Sequence, residues 1–195
     1  MSMVMESLDN LTDLELVERA TVGDRGAFET LAGRHYTLVY RVAYKWCGIR
    51  ETAEDITQEV FCKLARTIHS YRGGSAFMTW LYRVTVNTAK DFHRRNARKL
   101  ANEAAYTKEL KAEAPKGVAA LSGAEEHTEK RERSEELQRA LAALSPKLRE
   151  TVVLVLSEGL THKEAAAVLG CAETTVSWRV FKARGKLKKL LSPEV

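Results

Sequence analysis

The chain has 195 residues, of which 45% are hydrophobic and 29% are charged, and it carries a formal net charge of +5. This composition supports one or two domains with apolar cores, and the basic balance suits a polyanionic partner. No apolar run reaches membrane-spanning length, and residues 1–10 lack the hydrophobic segment of a secretory signal. We therefore expect a cytoplasmic protein with no membrane insertion.

Apolar residues recur at helical spacing from residue 11 to residue 95, and strand-like alternation is scarce. The sequence therefore predicts an all-α fold, with four helices in this N-terminal zone. They are a helix that begins near Leu14 after the capping residue Asp13, a helix at 25–47 that stops at Gly48, a helix at 52–70, and a helix at 76–95. Residues 71–75 are predicted to form the loop before the fourth helix.

Residues 96–132 are rich in Ala, Glu and Lys and include Pro115, Gly117 and Gly123. With almost no large apolar residues, this stretch cannot bury a core. It is predicted to be a flexible linker with a helical patch at 100–114.

Periodic apolar residues return after residue 133, and a helix is predicted at 134–144. Ser145 and Pro146 form a suitable N-cap and first turn for the next helix, which stops at Gly159. The apolar positions of that helix are Leu148, Val152, Val153 and Leu156.

Two short helices around a tight turn follow. Thr161 and Glu164 have the spacing of a capping box, and Gly170 suits the positive φ that commonly ends a helix. Thr174 or Thr175 can cap the second helix. Its apolar stripe is Val176, Val180, Ala183, Leu187 and Leu190, and its opposite face is Thr175, Arg179, Lys182, Lys186 and Lys189.

This pattern is typical of a helix-turn-helix whose second helix enters the DNA major groove. Cations on that helix suit contacts with phosphates and base edges. The alternative is an amphipathic C-terminal helix with a solvated basic face, but the capped helix and glycine turn before it favour the helix-turn-helix.

Two surfaces of the N-terminal zone are hard to explain by packing alone. The outer face of the third helix carries Asp55, Gln58 and Glu59, while Ile56, Val60 and Phe61 point inward. Residues 75–91 interleave aromatic residues with Arg83 and Asn87, as do surfaces that stack unpaired bases and hold phosphates. The alternatives are a solvated charged face and aromatic residues that belong to the core.

Three cysteines, Cys47, Cys62 and Cys171, are scattered and form neither a disulfide framework nor a zinc-ligand spacing. We expect small buried thiols in a reducing compartment. The alternative is a redox sensor, which requires an exposed, reactive thiol.

In combination, these features resemble the extracytoplasmic-function (ECF) group of bacterial sigma-70-type RNA polymerase sigma factors. The motifs are Asp-x-x-Gln-Glu-x-Phe at 55–61, Phe-x-Thr-Trp-Leu-Tyr-Arg at 77–83 with Asn87 beyond it, and the C-terminal helix-turn-helix with Thr-Val and Lys-Ala-Arg. The resemblance covers nearly the whole chain and implies two small helical domains. They are a sigma region 2 helical bundle at 11–97 and a sigma region 4 helix-turn-helix at 133–191, joined by a flexible linker at 98–132.

The resemblance also implies partners and three sets of site residues. Region 2 of the family docks on core RNA polymerase and reads the −10 promoter element as melted single strand, and region 4 reads the −35 element as duplex. The implied polymerase-binding residues are Asp55, Gln58, Glu59 and Phe61. The implied −10 residues are Tyr71, Arg72, Gly73, Gly74, Ser75, Trp80, Arg83 and Asn87. The implied −35 residues are Thr175, Ser177, Arg179, Phe181, Lys182 and Arg184.

The start of the second helix departs from the family pattern. Many relatives carry Gly-Thr-Val-basic-Ser-Arg, where this chain has the segment 174–179 with Ser177 and Trp178. Trp178 can pack on the sugar-phosphate backbone or on its own domain, and we favour packing on the domain.

The resemblance implies transcription initiation by binding, with an anti-sigma factor as an expected partner. The sequence contains no Gly-rich phosphate loop, nucleophile triad pattern or metal-ligand set, so we expect no enzyme activity, no cofactor and no metal. One alternative is an ordinary helix-turn-helix transcriptional regulator, which would need palindromic half-sites and bind duplex on its own. The other is a scaffold such as an anti-sigma protein, against which the basic helix argues.

Overall fold

The computed structural model describes residues 8–71, 76–109 and 128–191, with side chains described for residues 8–71, 76–99 and 135–191. Within these ranges every regular element is helical, which confirms the all-α prediction. The N-terminal module contains α1 (Asp13–Thr21), α2 (Arg25–Cys47), α3 (Arg50–Thr67) and α4 (Phe77–Glu109). The C-terminal module contains α5 (Thr128–Ala142), α6 (Pro146–Val152), α7 (His162–Leu169) and α8 (Glu173–Leu191). Short 3₁₀ turns occupy Leu8–Asn10 and Ile68–Ser70, and a π-helical turn occupies Val153–Ser157.

Helix α2 forms the centre of the N-terminal module and has the predicted bounds. It begins because the Asp24 carboxylate accepts a hydrogen bond from the Ala27 N–H at 3.0 Å, an N-cap contact. It ends at Gly48, whose φ of 74° lies in the left-handed region. Around it, α1, α3 and α4 bury a core whose fully enclosed side chains include Leu16, Leu31, Val39, Ile56, Leu64 and Leu81.

Three predictions for this module are wrong in detail. The helix predicted at 52–70 is α3 at Arg50–Thr67 followed by the separate 3₁₀ turn. Thr12, not Asp13, caps α1, because Thr12 and Glu15 form a complete capping box. The Asp13 carboxylate instead accepts a hydrogen bond from Arg34 at 2.6 Å and lies 2.7 Å from the His35 ring. Helix α4 also continues to residue 109 rather than ending near 95, because residues 96–109 are mostly strong helix formers without Gly or Pro. Residues 110–127 of the predicted linker lie outside the described residues.

The helix-turn-helix of the C-terminal module has the predicted turn. Thr161 and Glu164 form the capping box of α7, and Gly170 ends it with a φ of 63°. Helix α8 begins at Glu173, so Thr174 and Thr175 lie inside its first turn and the prediction that either is its N-cap is wrong. The first turn instead bonds to the carbonyl of Ala172.

The π-helical turn changes which residues after α6 face inward. The N–H of Glu158 bonds to the carbonyl of Val153 at 3.0 Å, five residues back, which adds one residue to the turn. Leu154 is therefore fully buried, whereas Leu156, predicted to lie on the apolar side, is 40% exposed. The same shift points the Glu158 side chain at the N-terminal module.

The cysteines depart from the expectation of burial. Cys62 is exposed, and Cys47 and Cys171 are partly buried. Burial raises the pKa of Cys47, whose thiol donates a hydrogen bond to the Ile49 carbonyl at 3.3 Å. Cys47 is therefore held as the neutral thiol.

Candidate polymerase and nucleic-acid interfaces

The outer face of α3 presents the predicted polymerase-binding residues. Asp55 and Gln58 are exposed, and Glu59 is half-buried. Glu59 is paired with Arg95 at 2.5 Å and with Lys63 at 2.9 Å. The hydrogen bond from Arg95 is the main cause that lowers the pKa of Glu59. Glu59 therefore stays ionised but is already neutralised, so Asp55 is the more available anion of this face.

An aromatic pair extends this surface. The Phe61 ring stacks on Tyr36 of α2, with centroids 6.0 Å apart and planes 7° apart. Tyr36 is 47% exposed, so the pair forms an apolar patch that borders the acidic face. Tyr36 was not among the predicted site residues, because nothing in the sequence shows that it meets Phe61 on α3.

The start of α4 gathers the aromatic residues of the predicted −10 set. The Tyr71 ring lies 5.2 Å from Trp80 and 6.3 Å from Phe77, and the Phe77 and Trp80 rings are 6.1 Å apart. Phe77 is buried, whereas Tyr71 and Trp80 are only partly buried. The cluster thus combines a fixed inner ring with two rings at the surface. The predicted −10 residues Arg72, Gly73, Gly74 and Ser75 lie outside the described residues.

Trp80, Arg83 and Asn87 share one face of α4, as predicted from their spacing. Arg83 donates hydrogen bonds to the carbonyls of Ala167 and Val168, at 2.5 Å and 3.3 Å, at the C-terminal end of α7. Asn87 is exposed at a cleft of about 320 Å³. The cleft is lined by Arg83, Val86, Asn87, Lys90, Val168, Leu169 and Gly170.

The buried stripe of α8 determines which of its residues face solvent. Val176, Val180 and Ala183 are buried as predicted, Leu187 is partly buried, and Leu190 is 48% exposed, so the stripe is one residue shorter than expected. Successive residues of an α-helix are offset by about 100°. The outer face of α8 is therefore centred near Trp178 and carries Trp178, Phe181 and Lys182.

Trp178 is a further candidate contact residue on this face, absent from the predicted −35 set. It is 56% exposed, so the expectation that it packs on its own domain is wrong. The Lys182 ammonium lies 4.6 Å from the Trp178 ring centroid, a cation–π contact. Phe181 is 80% exposed. The phase of the buried stripe is the sequence signal that identifies Trp178 as outward-facing.

Arg179 lies at the edge of α8 nearest the core of its module. Its guanidinium is 3.3 Å from the Glu150 carboxylate, and the two side chains are 13% and 5% exposed. Of the remaining predicted −35 residues, Arg184 is exposed and Thr175 is partly buried. The Ser177 hydroxyl is exposed, lies 2.8 Å from the His162 ring and donates to the Glu173 carbonyl at 3.1 Å. The structure thus leaves Ser177, Phe181, Lys182 and Arg184 accessible and turns Arg179 inward.

Among the described residues, no helix is both long and apolar enough to cross a bilayer.

Comparison with known proteins assigns both modules. Residues 31–99 match the family model for Sigma-70 region 2, and residues 134–187 match the model for Sigma-70, region 4. The chain is 34% identical to the ECF RNA polymerase sigma-E factor of Haemophilus influenzae over 189 residues, which cover 95% of this chain and 98% of the relative. It is 32% identical to the ECF RNA polymerase sigma-E factor of Escherichia coli over 186 residues, covering 95% and 97%.

Solved structures share the fold. The sigma factor RpoE in complex with the anti-sigma factor NepR from Bartonella quintana matches with a TM-score of 0.66 at 23% identity, over 86% of this chain and 98% of that one. The two modules match sigma regions 2 and 4 in the order expected from the motifs. The relatives are similar to this chain along almost their whole length. Both findings assign the chain to the same family. This chain belongs to the ECF group of sigma-70-type RNA polymerase sigma factors.

Proposed function

We propose that this protein binds core RNA polymerase, directs it to promoters through the −10 and −35 elements, and promotes transcription initiation by binding rather than by catalysis. The observation that carries the proposal is the outer face of α8, where two exposed aromatic rings stand beside cations on the second helix of a helix-turn-helix. These exposed side chains do not contribute to the core of the module, so we infer that they contact a partner. We propose a cytoplasmic location, because bacterial polymerase and promoter DNA are in that compartment.

On duplex DNA, the outer face of α8 supplies both kinds of contact that recognition needs. Phe181 and Trp178 offer apolar surface to thymine methyl groups and base edges in the major groove. Lys182 and Arg184 supply charge for phosphates. Ser177 is placed for a hydrogen bond at the edge of the same face. Thr175 and Arg179 remain predicted −35 contacts, and their burial favours a supporting role.

The −10 element is read by the start of α4. Stacking of an unpaired base on an aromatic ring contributes about 1–3 kcal/mol, comparable to the few kcal/mol needed to unstack a base. Tyr71 and Trp80 provide such rings, and Arg83 with Asn87 provides polar contacts one and two turns further along α4. Capture of separated bases therefore opens DNA without nucleotide hydrolysis. The other predicted −10 contacts are Arg72, Gly73, Gly74 and Ser75.

Core polymerase docks on the face of α3 that carries Asp55, Gln58, Glu59 and Phe61. An exposed carboxylate beside the Tyr36–Phe61 pair suits a basic, partly apolar helical partner. An anti-sigma factor is a further proposed partner, since a sigma factor of the same fold is known in complex with one. Residues 11–97 and 133–191 are the proposed functional limits of regions 2 and 4, with 98–132 as the linker.

The proposal is tested by in vitro transcription from genomic fragments, with core polymerase alone and with this protein added. New start sites are expected only with the protein. The double variant Trp178→Ala/Phe181→Ala should lose about tenfold or more of this transcription, since each base contact is worth about 1–3 kcal/mol. Val22→Ala, which alters another exposed apolar residue (86% exposed), should leave transcription unchanged.

A different result would identify the alternative. If the purified protein binds duplex promoter tightly on its own and never redirects polymerase, it acts as an ordinary helix-turn-helix regulator and the proposal is wrong.

A further inference from the structure

Region 4 packs directly on α2 and α4 of region 2, and we call this packing the closed arrangement. An apolar cluster spans the two regions. Its region 2 members are Val42, Tyr82 and Val86, and its region 4 members are Val153, Leu154, Ala165, Ala166, Val168, Val176 and Val180. The contact is therefore a built interface with a shared core rather than a chance approach of two surfaces.

Glu158 is the charged centre of this interface. Its side chain is 0% exposed and receives hydrogen bonds from Arg41 and Lys45 of α2, with the Lys45 ammonium 3.1 Å from the carboxylate. Burial raises the pKa of Glu158, but the two cations outweigh burial and hold that pKa below its ordinary value. Burial and the Glu158 carboxylate together raise the pKa of Tyr82 to about 12. Glu158 is thus an ionised group of region 4 whose side chain pairs with Arg41 and Lys45 of region 2.

The other cations on this face of region 2 also meet negative groups of region 4. Arg83 binds the carbonyls that end α7, which form the negative end of that helix dipole. The Lys90 ammonium lies 2.9 Å from the Glu150 carboxylate, which is 5% exposed. Arg41, Lys45, Arg83 and Lys90 therefore form one cationic face along α2 and α4, and region 4 neutralises each member.

A second contact stabilises the same interface, and here the cation belongs to region 4 and the hydrogen-bond acceptor to region 2. Arg149 of α6 is 7% exposed and donates a hydrogen bond to the Trp46 carbonyl at the end of α2, at 3.0 Å. Its guanidinium also lies 4.9 Å from the Trp46 ring centroid. The remaining hydrogen bonds of Arg149 go to carbonyls of region 4 itself, Leu141, Ala142 and Leu144.

The closed arrangement is incompatible with reading both promoter elements. The positions −10 and −35 differ by 25 base pairs, which is roughly 85 Å along B-form DNA at about 3.4 Å per base pair. Regions held together by hydrogen bonds cannot span that distance. Arg83 and Asn87, which the proposed function assigns to the −10 strand, also face region 4 at the cleft.

We propose that region 4 is an intramolecular competitor of promoter DNA: Glu150, Glu158 and the carbonyl end of α7 occupy, in place of nucleic-acid phosphates, the cationic face formed by Arg41, Lys45, Arg83 and Lys90. The free chain is then self-inhibited, and opening exposes the cationic face and the −10 residues together. This inference rests on the proposed function only for the DNA roles of Arg83 and Asn87.

The substitution Glu158→Arg tests directly whether region 4 competes with nucleic acid for the cationic face. It places a third cation between Arg41 and Lys45 at a site with no solvent, so the closed arrangement cannot persist. Because Glu158 pairs with region 2 and not within its own region, each region should stay folded, which far-UV circular dichroism checks. Glu18→Arg, at an exposed position on α1, makes the same charge change outside the interface and is the matched control.

Two measurements on the full chain decide the outcome. By small-angle X-ray scattering, the wild type and Glu18→Arg should have a radius of gyration near that of one compact chain of this length, about 16–18 Å, and Glu158→Arg should exceed about 20 Å. By fluorescence anisotropy with a labelled single-stranded 20-mer of random sequence, Glu158→Arg should bind about fivefold or more tighter than Glu18→Arg, since affinity follows the fraction of open chain.

Equal radii for the two variants, or an expanded Glu158→Arg chain that binds the oligonucleotide no better than Glu18→Arg, would overturn the proposal. The scattering measurement needs neither polymerase nor promoter. A chain that closes as described but fails to redirect polymerase would therefore contradict the proposed function and leave the interface itself in place.

Discussion

Arg179 offers a sharp test of how α8 is oriented, because a base-reading residue and a structural residue respond differently to truncation. Arg179→Ala removes one partner of the Glu150 carboxylate, which is 5% exposed. Breaking a buried ion pair from one side costs about 3–5 kcal/mol. Lys90 remains 2.9 Å from the same carboxylate and still partly neutralises it, so we expect a smaller cost of about 2–3 kcal/mol. For a chain of this length, that loss lowers the melting temperature by roughly 4–12 °C.

Thermal unfolding of the full chain, followed by far-UV circular dichroism, measures the effect. Lys182→Ala, an exposed cation on the same helix, is the control and should change the free energy of unfolding by no more than about 0.5 kcal/mol. Glu150→Gln combined with Arg179→Ala should destabilise the chain by less than the sum of the single variants, because the two side chains are in contact. If Arg179→Ala melts like the wild type and weakens recognition at one promoter position only, Arg179 reads a base and the inward orientation of Arg179 is refuted.

Three further predictions follow from the same geometry. Asp55→Lys should weaken co-purification with core polymerase about tenfold, because it reverses an exposed charge on the docking face; Glu18→Lys, at an exposed position on α1, is the control, and equal losses for both would contradict the docking site. Asn87→Ala should lower promoter opening by polymerase holoenzyme about tenfold, as read by permanganate reactivity, while duplex binding is retained; unchanged reactivity would remove Asn87 from the −10 site. Leu154→Ala should cost about 2–5 kcal/mol in the free energy of unfolding, whereas Leu156→Ala should cost about 0.5 kcal/mol, and the reverse order would argue against the π-helical turn.

Local chemistry explains what could be predicted from the sequence. Gly48, Gly170 and the Thr161–Glu164 capping box each satisfy backbone groups within a few residues, so they fix helix ends wherever the helices later pack. Capping is a weaker guide where two candidates stand side by side. Thr12 and Asp13 both can cap, and Thr12 wins because Glu15 stands three residues after it and completes the box.

The errors arise where burial decides between equivalent local patterns. The run from Val152 to Leu156 is apolar at every position, so a π-helical turn and an α-helix bury it equally well by composition. In α8, the cations are predicted to face outward and Trp178 to pack on its domain, although Trp178 lies opposite the buried residues Val176 and Val180 on the helix. The angular position of a residue around the helix axis is the stronger guide, because the helix geometry fixes it. A positive charge is a weaker guide, because a cation can also face inward when it pairs with a carboxylate such as Glu150.

The interface between regions 2 and 4 could not be predicted, because its contacts join residues far apart in the sequence, such as Arg83 with Ala167 and Arg41 with Glu158. Its composition nevertheless fits a contact that opens. The shared apolar side chains are mostly small, so separation exposes a modest apolar area. The cations Arg41, Lys45 and Lys90 lose their carboxylate partners on opening but can be rehydrated or bind phosphates. A larger apolar contact would hold the regions together permanently, whereas a cationic face that binds either carboxylates or DNA permits exchange between the two.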